Sequence, residues 1–138
     1  MPGLTLAEAR TALDAGLAEA DAIGQPMNVA VVDDGGHLLA FARQPGAIRA
    51  SIDISQRKAR TSVLMEAPTG ALMPLVQPGA ELYGLEQTAG GLVVFGGGIP
   101  VYRDGVLVGA VGVSAGSAEQ DVQVATAAVA AISTPVPA

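Results

Sequence analysis

The residues of this chain that can do chemistry are few and lie far apart. The single histidine, His37, is of the residue type that can move a proton or hold a metal. Lys58 falls on the same helical flank as Ser51, Ser55 and Ser62 when residues are set about 100° apart. That flank borders a buried face, so an ammonium and a strip of hydroxyls could hold an anionic or polar ligand; it is equally the form of a solvated helix edge. Gly96-Gly97-Gly98, followed by Ile99-Pro100, carries more glycine than a hairpin needs. Bare backbone of this kind serves either a bulged turn or the close approach of a ligand. Glu119 and Asp121 open the last helix, where carboxylates stabilise free amides and the positive end of the helix dipole. With a ligand nearby the same carboxylates could act on it. One chemistry uses all of these groups. Backbone amides anchor a carbonyl or carboxylate, Lys58 serves as cation or proton donor, and Glu119, Asp121 or His37 serves as base. Isomerisation, hydration or elimination without a redox cofactor would suit them.

Much else is excluded. Without cysteine there is no thiolate nucleophile, disulfide or zinc–cysteine site, and one histidine cannot build a multi-histidine metal cluster. No phosphate-binding loop, nucleophile elbow or covalent haem-attachment motif is present. Seven Lys and Arg against thirteen Asp and Glu, a net charge of −6, argue against a nucleic-acid partner. No apolar run approaches the roughly 18 residues that span a bilayer, and the N-terminus lacks the regions of a signal peptide. A soluble, cytoplasmic protein is expected. A mean hydropathy of +0.45 is high for a small monomer, which suggests apolar surface buried between subunits of a homo-oligomer.

These groups must be positioned by helices and strands that the pattern marks clearly. Thr5 and Glu8 form a capping box, and Leu6, Ala9, Leu13, Gly16, Leu17 and Ala20 make an apolar stripe that ends at Gly24 and Pro26. Asn28 to Asp33 reads as a strand buried on both faces. After Asp34-Gly35-Gly36, the strand His37 to Arg43 alternates, with His37, Leu39, Phe41 and Arg43 on one side. A second helix covers Ala47 to Met65, its buried stripe read as Ile48, Ile52, Ser55, Ala59 and Val63. Prolines and glycines between Ala67 and Ala89 leave a short helix near Thr69 to Leu75 within irregular chain, the form of a cover over a site or a subunit contact. Strands are expected at 91–95, 99–103 and 106–114, the last two joined through Asp104-Gly105. Ser117 and Gln120 then cap a final helix with Val122, Ala125, Val129 and Ile132 on its buried stripe. The tail from residue 133 to 138 has little to order it.

The succession of "NVAVVDDGGHLLAFAR", a helix containing Lys58-Ala59, "GGGIPVYRDGVLVGAVGVSAGSAEQD" and a last helix resembles the GlcG/HbpS family of haem-binding or haem-degrading-type domains, which includes the C-terminal domain of PduO proteins. The resemblance covers about residues 4 to 132 of a single domain spanning 1–138. It implies an α/β (α+β) fold of profilin-like type, a five-stranded antiparallel sheet with helices packed against it, assembled as a homo-oligomer. It also marks Gly97, Gly98, Ile99, Pro100 and Lys58 as typical family elements beside a small-ligand pocket.

Three functions follow as expectations. The first is a binder of haem or another small ligand. Haem needs an apolar slot, cations for its propionates and a coordinating side chain; Arg43, Arg103 and Lys58 are the cations, and His37, Tyr83 or Tyr102 could approach iron. Tyr102 and Asp121 count with them among the ligand-binding candidates. The second is the cofactor-independent enzyme outlined above, with Lys58, Glu119 and His37 as catalytic candidates. The third is an accessory subunit whose oligomer is the functional object.

Overall fold

The computed structural model describes residues 3–136. Its elements run α1 (Leu6–Ile23), β1 (Asn28–Asp33), β2 (Leu38–Arg43), α2 (Ala50–Met65), β3 (Gly98–Arg103), β4 (Val106–Ser114) and α3 (Ala118–Ala130), with two short 3-10 segments, Thr69–Leu75 and Leu85–Gln87, between α2 and β3. Both capping boxes are formed, Thr5 with Glu8 and Ser117 with Gln120. Asp104 and Gly105 both take positive φ, the geometry a two-residue hairpin requires.

The sheet is antiparallel, in the order β2-β1-β4-β3, and has four strands where five were expected. Residues 91–95 form no strand and pair with none. Their backbone is held by side chains: Val93 N donates to Thr61 Oγ1 at 3.1 Å, and Thr69 Oγ1 donates to Phe95 O at 2.7 Å while accepting from Gly98 N at 2.9 Å. Leu92, Val93 and Val94 are buried, so the apolar run that reads as a strand is core-facing coil.

Side-chain size decides how the layers stack. Val29, Val31, Val101, Val111 and Val113 point to one face and pack with Ala9, Ala12, Val124 and Ala128 of α1 and α3. The opposite face is nearly flat, because Gly98, Pro100, Ala110 and Gly112 share it in register. α2 lies directly on that flat face. A Cβ on Gly112 would run into Ser55 O, and one on Gly98 would stand 2.5 Å from Lys58 O. At this separation only short side chains fit beneath the helix.

The buried face of α2 is therefore Ser51, Ser55, Lys58, Ala59, Thr61, Ser62 and Val63. The expected stripe holds at Ser55, Ala59 and Val63 but fails at its start: Ile48 precedes the helix and is 59% exposed, and Ile52 is only half-buried. Similarly Leu6 on α1 and Val122 on α3, both assigned to buried stripes, are exposed. In β2 a bulge opposite Val31 and Val32 breaks the expected alternation and exposes Leu38. No helix among the described residues is long and apolar enough to cross a membrane.

The chain beyond α3 is more tied down than its composition suggests. Glu8 and Arg103 form an ion pair at 2.6 Å; Arg103 Nη2 also donates to Ile132 O and Thr134 O, and Val136 N donates to Glu8 Oε2. Residues 137 and 138 of the expected loose tail lie outside the described residues.

Candidate functional site

α2 carries Lys58 across the end of β4, where the ammonium is fully buried. Nζ donates to Val113 O at 2.8 Å and to Asp121 Oδ2 at 2.8 Å, and stands 5.1 Å from the centroid of the Phe95 ring. Asp121 uses its other oxygen to accept Gly116 N at 3.0 Å. Burial pushes the lysine pKa down and the aspartate pKa up, and each charge works against that shift in its partner. The pair closes a strained turn. Ala115, between the strand and Gly116, holds a φ of 136°, which side chains rarely adopt.

The glycine excess is explained at the same place. A Cβ on Gly97 would lie 2.6 Å from Lys58 Nζ and 2.5 Å from Val113 O, and one on Gly96 would lie 2.8 Å from Val122 Cγ2. The bare backbone is approached by the chain's own lysine and helices.

Next to this closed cluster the surface opens into a pocket of about 380 Å³. Gly70 and Met73 line it from the long loop, Phe95 and Gly96 from the coil before β3, and Ala118, Glu119 and Val122 from α3. Its volume lies within the roughly 300–1,000 Å³ of small-molecule sites. Phe95, Met73 and Val122 are each about two-fifths exposed (39%, 40% and 39%), so three large apolar side chains surround one hollow.

The sequence-derived candidates divide accordingly. Lys58, Asp121 and Gly97 meet in the cluster, Gly98 packs under α2 beside it, and Glu119 stands at the pocket rim. Lys58 is no helix edge and presents nothing to solvent. Ile99 packs against the core, and Pro100 is buried in an edge strand, where its missing N–H costs no ladder bond. Tyr102 is exposed, its hydroxyl donating to Glu66 O at 3.0 Å. Arg43 is exposed at the end of β2, opposite Asn28. His37 is exposed beside the β1–β2 turn, at the other end of the hairpin. Tyr83 lines a separate hollow with Glu81 and Thr88. Arg103 and Lys58, expected to meet propionates, already hold Glu8 and Asp121. Among the described residues no group of three His, Asp or Glu side chains could hold a metal ion.

Pattern reading missed the pocket walls. Phe95 falls in an expected strand and Val122 on an expected buried stripe, so neither reads as a pocket wall.

The family model for haem-degrading HbpS-like proteins matches residues 4–130. This chain belongs to the HbpS-like family. Within that family it is similar to an uncharacterised 15.0 kDa protein from the dhaT–dhaS intergenic region of Citrobacter freundii, 43% identical over 86% of this chain and 84% of that one. It is 40% identical to the corrinoid adenosyltransferase PduO of the same organism over 86% of this chain but 36% of the relative, so it spans about a third of that enzyme. The crystal structure of a PduOC:heme complex superposes with a TM-score of 0.90 at 40% identity, covering 94% of this chain and 95% of that one. The HbpS-like fold thus extends over nearly all of the described residues.

Proposed function

We propose that this domain binds a flat, largely apolar small molecule in the pocket between Phe95 and α3, and that haem is the leading candidate. The observation that carries the reading is the cluster of Phe95, Met73 and Val122, left exposed around one hollow that Gly70 and Gly96 also line. The superposable PduOC:heme structure supports haem as the ligand class. The lining suits the apolar body of a porphyrin, with Phe95 and Val122 as apolar faces and the Met73 thioether as a donor known to bind haem iron, while no cation among the described residues lines the pocket to meet the propionates. When bound, haem supplies an iron centre for redox and ligand chemistry.

The chain's own part is to shape and dry the slot. In this reading the domain is of profilin-like type, works in the cytoplasm and assembles as a homo-oligomer, the last supported by the exposed Leu38 and Ile48. A cofactor-independent isomerase, hydratase or lyase would need Lys58 to reach its substrate, and that amine is sealed among Asp121, Val113 O and Phe95.

Titration with haemin, followed at the Soret band, tests the proposal. Saturable binding by the wild type and at least tenfold weaker binding by Val122→Asp are expected. A wild type that shows no saturable binding ends the reading.

A further inference from the structure

Lys58 does not line the pocket, yet both of its principal walls are built on it. Its ammonium sits 5.1 Å from the centroid of the Phe95 ring and is fully buried, while the ring is 39% exposed and borders the pocket. Its bond to Asp121 fixes the first turn of α3, which supplies Ala118, Glu119 and Val122. Gly97 is bare where a side chain would displace the ammonium.

An aromatic ring carries negative charge on its faces and positive charge at its edge. A cation held against one face draws π density toward itself. The ring, which borders the pocket, becomes poorer in electrons, though less than beside a lone cation because Asp121 holds the same ammonium at 2.8 Å. Water cannot screen this, because no part of Lys58 reaches solvent.

Resting on the small-ligand reading above, we infer that Lys58 is the specificity-determining residue of the pocket. Acting through Phe95, it makes the wall a platform for electron-rich, anionic flat ligands and against cationic ones. Glu119, which lines the pocket itself, opposes this preference, so the contribution of the wall is read from how the anionic-to-cationic ratio changes when the buried charges or the ring are removed.

The test compares two probes built on one macrocycle, protoporphyrin IX with its two anionic propionates and the same porphyrin with both propionates converted to cationic aminoethyl amides, by absorbance titration. The wild type is expected to favour the anionic probe by tenfold or more. The paired substitution Lys58→Met with Asp121→Asn removes both buried charges together and is expected to lower that ratio at least fivefold, with an unchanged circular dichroism spectrum. Phe95→Leu keeps the ion pair and changes only an exposed ring; it should lower the ratio similarly, which keeps the test open if the paired variant does not fold. A folded paired variant with the wild-type ratio, or Phe95→Leu with the wild-type ratio, overturns the inference while leaving the pocket itself standing. A wild type that binds neither porphyrin removes the pocket reading and this inference with it.

Discussion

Lys58 on α2 and Asp121 on α3 meet at 2.8 Å, with side-chain exposures of 0% and 4%, from opposite faces of the sheet. The lysine reaches past the end of β4, where Gly97 leaves it room. This contact ties the two helical layers together at the end of the sheet where the pocket opens. Removing one partner leaves a buried charge alone. Asp121→Ala should cost about 3–5 kcal/mol of stability, measured by urea denaturation. The paired change Lys58→Met with Asp121→Leu should recover only part of that loss: no charge is left buried, but Gly116 N and Val113 O lose their partners.

The closeness of α2 to the sheet makes a second prediction. Gly112 faces the helix backbone at Ser55 and Ala59, so neither neighbour can move aside like the end of a flexible side chain. Gly112→Ala should destabilise by about 3 kcal/mol or more, through overpacking against backbone. At Gly105, where a Cβ would meet nothing, Ala is strained only by the positive φ of 77° and should cost about 1 kcal/mol. Thermal melts of the two variants separate the mechanisms.

The same closeness shows what was readable beforehand. Caps, helices, the long central strands and the Asp104-Gly105 turn follow from local chemistry, and the structure has them where the pattern puts them. The full buried face of α2 does not follow, because hydrophobicity adds Ile48 and Ile52 to Ser55, Ala59 and Val63, whereas the flat glycine and alanine surface selects for size and takes Ser51, Thr61 and Ser62. Lys58 reads as a helix edge for a related reason: its counter-charge lies 63 residues away along the chain. Phe95 and Val122 were invisible as pocket walls, since an apolar residue facing a hollow has the same local pattern as one facing the core.

Acid stability should report on Glu8. Burial alone would raise its pKa, but hydrogen bonds from Arg103, Thr5 and Val136 and the Arg103 charge outweigh burial and lower it from 4.5 to about 2. Below about pH 4.5 the unfolded chain takes up a proton that the folded chain refuses. The stability contributed by Glu8 is thus fully present above that pH and lost as pH falls toward about 2. Glu8→Gln should lose about 2 kcal/mol at pH 7 and show a shallower loss of stability between pH 5 and 2 than the wild type, by denaturant titration across that range.

Thr69 holds the coil that replaces the missing strand. Its hydroxyl accepts from Gly98 N and donates to Phe95 O, so one fully buried oxygen fixes both ends of the glycine bend and, with it, the aromatic wall of the pocket. Thr69→Val keeps the shape and removes both bonds, leaving a buried amide without its partner. The expected cost is about 1–3 kcal/mol. Because the bonds are local to residues 95–98, their loss should also show as faster hydrogen exchange at Gly98 and unchanged protection in the centre of β1. Equal acceleration at both places would mean that the hydroxyl supports the whole fold and that the glycine bend has no separate anchor.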